Sequence, residues 1–157
     1  MQQLEKLVCF SLGQQVFALP IDSVQEAVEL RPITPVFLVP AFIRGIMNLR
    51  GEIVAVLDLL HLLGLEAQQI SDHHRVVIVR HGEDRRDQRA AGLLAECLCG
   101  VVELEADQIQ APPATLPPSV ASYLRGLVSR PDRAIMLLDL QRLFSSDLLA
   151  PFRARRT

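Results

Sequence analysis

The residues of this chain that can do chemistry are few, and several lie in pairs. Cys97 and Cys99 stand two apart, and His73 and His74 are adjacent. Thiolates and imidazoles are the ligands of tetrahedral zinc sites, but such sites use defined spacings that these four residues do not reproduce. No metal is expected. Cys9 makes an odd set of three cysteines, which reads as reduced, buried thiols, with Cys97 and Cys99 on one face of a strand. Nucleophilic catalysis would need an activated side chain beside a base and an orienting group. The sequence holds no Gly-x-Ser-x-Gly turn, no glycine-rich phosphate loop and no histidine pair at helical metal-binding spacing. His61 lies in the run "LLHLLG" and reads as a boundary residue, while His73, His74 and His81 bracket an apolar run and read as solvated. Glu26, Glu29, Glu103 and Glu105 read as an exposed strand face. Neither an enzyme nor a cofactor is expected. What remains is Arg50, in Asn48-Leu49-Arg50-Gly51, which offers a charged group to solvent or to a partner surface.

The elements that carry these residues repeat. "IRGIMNLRGEIVAVLDLLHLLG" (residues 43–64) aligns without a gap on "LRGLVSRPDRAIMLLDLQRLFS" (residues 124–145), placing Gly45 on Gly126 and Asp58 on Asp139. Upstream, "LVCFSLG" resembles "VVIVRHG", and "ALPIDSVQEAVEL" resembles "GLLAECLCGVVEL". The spacing between copies grows only in the charged stretch "GEDRRDQRAA" and in the proline-rich stretch before Tyr123, where surface loops absorb insertions.

Each copy reads mostly as strands. Leu7 to Leu12 and Val16 to Ile21 flank a Gly13-Gln14-Gln15 turn, and Val24 to Leu30 alternates as a half-buried strand does. Prolines at 32, 35 and 40 favour an extended loop. Ile43 to Leu49 and Glu52 to Leu57 form a hairpin about Arg50-Gly51, with Gly51 supplying positive φ. In the second copy Pro131-Asp132 fills the centre of a type I turn. Gly45 and Gly126 read as turn glycines, and Asp58 and Asp139 as helix N-caps. Five short strands per copy favour closure into a small barrel, since open edges invite pairing. An all-β fold with short helices follows: two five-stranded barrels packed together within a single domain over 1–157. The approximate units are 5–70 and 71–147. Whether the first strand of each copy completes its own barrel or the other is left open.

With 157 residues, half of them hydrophobic, the chain has enough for a shared core. Charges interrupt every apolar run before it reaches the length of a membrane span, and "MQQLEKLVCF" carries no secretory signal. A soluble, cytoplasmic protein is expected. Net charge is −2 and tryptophan is absent, so neither a basic groove nor stacking platforms for nucleic acid are expected. The basic tail 148–157 reads as a solvated terminus.

"FSLGQQVFALPIDSVQEAVEL", "VPAFIRGIMNLRGEIVAVLDLLHLLGL" and "GLLAECLCGVVEL" resemble the CheW-like domain of bacterial chemotaxis, with the Asn-Leu-Arg-Gly turn the most specific mark. The resemblance covers roughly residues 5 to 147. It implies two five-stranded SH3-like barrels side by side in a scaffold without catalysis. It also implies binding to the regulatory domain of a CheA-type histidine kinase and to the cytoplasmic tip of chemoreceptors. Carried over by position, Arg50, Val24, Glu26 and Val101 fall on receptor-binding positions. Ala55 replaces a usual proline, Ala95-Glu96 replaces a frequent Val-Asp, and the 82–91 loop is unusually rich in arginine and aspartate. An adaptor for pilus-based motility or another kinase pathway would share these motifs. Two further readings remain, a regulatory domain binding a small ligand in a groove and a metal-dependent enzyme using Cys97, Cys99 and histidines.

Overall fold

The computed structural model describes residues 4–66, 69–82 and 89–145. The basic tail and most of the charged 82–91 loop lie outside them. The first copy contains β1 (Leu4–Leu12), β2 (Gln15–Pro20), β3 (Val24–Glu29), β4 (Ile43–Leu49), β5 (Glu52–Leu57) and α1 (Leu59–Leu62). The second contains β6 (Arg75–His81), β7 (Arg89–Ala95), β8 (Cys97–Glu105), α2 (Pro118–Ala121), β9 (Leu124–Ser129), β10 (Ala134–Leu138) and α3 (Leu140–Ser145). The strands form two five-stranded sheets, β8-β1-β2-β10-β9 and β3-β6-β7-β5-β4.

The boundaries 5–70 and 71–147 therefore do not separate the sheets. Each sheet takes the opening hairpin of one copy and the last three strands of the other. The registers agree across the repeat: Ala18 lies beside Leu137 as Gly92 lies beside Val56, both in parallel pairs. The chain crosses between sheets at residues 21–23 and again at Glu96. Glu96 is pinned there by its N–H to Ser11 O (2.8 Å) and by Gly13 N–H to its carboxylate (2.9 Å).

Period-two alternation explains why β1 and β2 are buried on both faces. Leu7, Cys9, Val16 and Ala18 fill a small core within their own sheet. Phe10, Leu12, Phe17 and Leu19 join a larger core with β4–β7 and α3. Phe10 and Phe17 are cross-strand partners with stacked rings 5.7 Å apart. The two barrels thus share a core.

Gly45 and Gly126 lie inside strands and not in turns. Each sits where an upstream segment crosses its strand: Thr34 exchanges two hydrogen bonds with Ile46, and Gln110 does the same with Leu127. A Cβ on Gly45 would lie 2.3 Å from Thr34 O, and one on Gly126 would lie 2.5 Å from Gln110 O. The glycine is required by this close backbone approach. Asp58 caps α1, its Oδ1 accepting Leu60 N–H at 3.0 Å, while its own N–H donates to Phe42 O at 2.7 Å. Asp139 repeats both contacts, with Arg142 N–H at 3.1 Å and Tyr123 O at 2.9 Å. The copies part at the neighbouring arginines. Arg44 pairs with Asp58 at 3.1 Å, whereas Arg125 pairs with Glu5.

Candidate functional site

The site is built on the β4–β5 hairpin. Leu49 pairs with Glu52, leaving a two-residue loop whose φ angles are 50° at Arg50 and 89° at Gly51. Two positive φ values are what a type I′ turn requires. Asn48 Oδ1 accepts the Gly51 N–H at 2.8 Å, so the Asn-x-x-Gly spacing holds the turn shut. Arginine has no preference for the left-handed region, so the turn carries some strain at Arg50.

The Arg50 guanidinium, 60% exposed, is ion-paired with Glu26 on β3. β3 and β4 are the two outer strands of their sheet, so this pair and the Thr34–Ile46 bridge tie its edges together. A bulge in β3 makes Gln25 an extra residue opposite β6. Its amide donates to Glu26 Oε2 at 3.1 Å, and its carbonyl accepts from Arg80 Nε. Arg80 forms a two-pronged pair with Glu52, at 3.1 and 2.7 Å. The hydrogen bond from Arg50 is the largest cause holding the Glu26 carboxyl below its ordinary value, and Glu26 raises Arg50 in return. The Glu52 carboxylate likewise raises Arg80. The result is a charged strip, Arg50–Glu26–Gln25–Arg80–Glu52, across one end of the sheet.

Sequence reasoning places Arg50 and Glu26 but misses Gln25, Glu52 and Arg80. These three come from different strands, and no spacing relates them. Glu26 is part of this strip and not a freely solvated carboxylate. Val24 is half-buried on β3 and packs against the main core. Val101 stands on the edge strand β8 of the other sheet, 54% exposed, with Leu98 also exposed.

The cysteines depart from expectation. Cys9 is buried, but Cys97 is exposed and Cys99 half-buried on β8, an edge strand that bulges against β1 and carries Gly100 at φ 98°. Burial first, and then neighbouring Cys99, push the Cys9 thiol up. His74 is buried and not solvated, its Nδ1 accepting Ser71 N–H at 3.0 Å and its Nε2 3.9 Å from Glu96. Among the described residues no group of three or more potential ligands is placed to hold a metal. No helix among them is long and apolar enough to cross a membrane.

A family model described as the CheW-like domain matches residues 6–148. The chain belongs to the CheW-like domain family. It is 27% identical over 144 residues to the chemotaxis protein CheW of Treponema pallidum, covering 90% of this chain and 82% of that one. It is 28% identical over 144 residues to protein FrzA of Myxococcus xanthus, covering 90% and 86%. The solved scaffolding protein TtCheW of Thermoanaerobacter tengcongensis superposes with a TM-score of 0.75 at 29% identity, covering 94% and 92%. CheW-like proteins are scaffolds without catalytic activity. The CheW-like match spans both sheets, so the Arg50 turn, the β3 edge and the β8 edge all fall within it. Of the four positions nominated for receptor contact, Glu26 and Arg50 meet in one ion pair. Val24 lies on the same strand as Glu26, and Val101 lies on the other sheet.

Proposed function

We propose that this chain is a non-catalytic adaptor coupling the cytoplasmic tip of chemoreceptors to the regulatory domain of a CheA-type histidine kinase. It would act in the cytoplasm at receptor arrays, without entering the membrane or binding nucleic acid. The observation that carries this reading is the Arg50 guanidinium, presented at a strained hairpin tip and aimed by Glu26. A receptor tip is helical, and an apolar helical stripe flanked by polar groups is met well by apolar strand residues beside one fixed charge. Val24 and Val101 supply apolar positions for such a contact, and Arg50 and Glu26 set its register.

Calorimetric titration with the kinase regulatory domain and with a receptor-tip fragment tests the proposal. Saturable 1:1 binding in the micromolar range or tighter is expected for each. Arg50→Ala is expected to weaken the receptor fragment roughly tenfold or more while changing folding stability by no more than about 0.5 kcal/mol. Absence of binding to both partners would overturn the proposal. A second reading is an adaptor for a different kinase pathway, which the family motifs allow equally; one relative, protein FrzA of Myxococcus xanthus, does not carry the CheW name. Titration against kinases of both kinds in one genome separates the two.

A further inference from the structure

Cys9 and Cys99 lie on neighbouring strands, and the register shift between those strands falls on them. β1 and β8 pair from Leu4–Glu105 to Cys9–Gly100, after which Phe10 faces Leu98. Cys99 is the extra residue of this bulge. Its side chain packs on the small core that holds Cys9, while Cys97 stands exposed outside it. Paired strands hold opposite Cα atoms about 5 Å apart, and a strand advances about 3.3 Å per residue, which puts the Cα atoms of Cys9 and Cys99 about 6 Å apart. A disulfide spans Cα atoms about 4.4–6.8 Å apart. The two thiols are within bonding reach without moving the backbone.

The repeat supplies an internal comparison. In the first copy β3 shifts register against β6 at Gln25, which aligns with Cys99, and Ile78 aligns with Cys9. That copy builds the same bulge from glutamine and isoleucine. Neither the strand pairing nor the bulge therefore requires a thiol at either place.

Access differs between the two sulfurs. Cys9 is fully buried, whereas Cys99 is half-buried, its thiol donating to Cys97 O at 3.9 Å. A small oxidant meets Cys99 and not Cys9. Positive charge stands beside the pair, since Arg133 and Arg130 of the β9–β10 turn oppose the rise that burial imposes on the Cys9 thiol. Cations beside a thiol favour the thiolate, which is the attacking species. Among the described residues no third ligand joins the two sulfurs to make a metal site.

We propose that Cys9 and Cys99 are a redox-active pair that a hydroperoxide converts to an intramolecular disulfide. The Cys99 thiolate attacks one peroxide oxygen, the O–O bond breaks, and the other oxygen leaves, protonated, as water or an alcohol. The Cys9 sulfur then attacks the sulfur of the Cys99 sulfenic acid. The S–S bond forms, the S–O bond breaks, and the hydroxide leaves with the Cys9 proton as water. The two sulfurs give up two electrons and the peroxide accepts them. The product ties the edge strand β8 to β1, two residues before Val101. A dithiol reverses it by exchange. The inference does not depend on the adaptor reading.

The test treats the folded full-length chain with a slight excess of hydrogen peroxide, then unfolds it, alkylates the remaining thiols and measures intact mass and peptide masses. Wild type and Cys97→Ser should each lose two free thiols and the mass of two hydrogens. In Cys97→Ser the joined peptides can hold only Cys9 and Cys99. Cys99→Ser should leave Cys9 free, and dithiothreitol should restore both thiols in the other two proteins. Both substitutions lie on an edge strand outside the main core, so the variants keep the fold. A disulfide that persists in Cys99→Ser overturns the proposal. Oxidation confined to Cys97, with Cys9 and Cys99 still free, overturns it as well.

Discussion

Asp58 and Asp139 occupy the same place in the two copies, yet their replacement by alanine should cost different amounts. Asp58 is 1% exposed, and the bond it accepts from Leu60 N–H is buried. Removing a cap costs about 1 kcal/mol in general and up to about 2 where the orphaned N–H has no access to water. Asp58 also holds Arg44, which is 24% exposed and can turn partly to solvent, so that pair adds only about 0.5–1 kcal/mol. The sum for Asp58→Ala is about 3 kcal/mol. Asp139 accepts from Arg142 N–H in an exposed position, and the neighbouring arginine is engaged by Glu5 instead. Asp139→Ala should therefore cost about 1 kcal/mol. Urea denaturation at neutral pH, with unchanged m-values, measures both. In a chain of this length the difference corresponds to roughly 4–8 °C in Tm. Asp58→Asn keeps an acceptor for Leu60 and should recover most of the loss. A gap below about 1 kcal/mol between the two alanine variants would refute the distinction drawn from burial and from the arginine pairing.

Two glycines differ in what a side chain would meet. Gly45→Ala combines a φ of 147° with a Cβ driven into the Thr34 carbonyl and should cost about 3 kcal/mol or more, whereas Gly51→Val meets open space and bears only the positive-φ penalty, about 1–2 kcal/mol. Thermal melts giving the reverse order would show that the Thr34 segment yields. Thiol labelling followed by mass spectrometry should modify Cys97 first and Cys9 only on global unfolding, since burial both shields Cys9 and raises its pKa. Equal rates at Cys9 and Cys97 in the native protein would contradict the packing of β1.

The hairpins are legible in the sequence because alternation and turn chemistry are local. Asn48, Arg50 and Gly51 define their turn within four residues, and Asp58 declares its cap by standing before "LLHLLG". Partner choice among hairpins is not local. Leu7 to Leu12 buries the same alternating residues whichever sheet it joins, so nothing in its pattern reports that it pairs with β8 and not with a strand of the other sheet. The role of Gly45 is hidden for a related reason, since the atom that excludes a Cβ belongs to Thr34. Cys97 reads as buried because an odd, reduced thiol usually is, and only the place of β8 at the edge of its sheet leaves it exposed. The charged strip is the least legible part. Gln25, Glu52 and Arg80 become neighbours only once β3, β5 and β6 share a sheet.

The exchange of hairpins also decides whether either barrel can exist alone. Residues 24–95 contain all five strands of one sheet in a single stretch, which on topology alone would mark an autonomous unit. The core denies it. Phe10, Leu12, Phe17 and Leu19 are fully buried, and they pack into the cluster shared with β4–β7. Excising 24–95 removes all four, together with Leu140, Leu143 and Phe144 of α3. At about 1.5–3 kcal/mol for each large buried side chain, the four strand residues alone contribute about 6–12 kcal/mol. A whole domain has only about 5–15 kcal/mol of net stability. The fragment 24–95 should therefore be unfolded, with collapsed amide dispersion in its NMR spectrum and no cooperative melt by circular dichroism, while the full chain unfolds in one transition. A fragment that melts cooperatively would show the barrels to be independent.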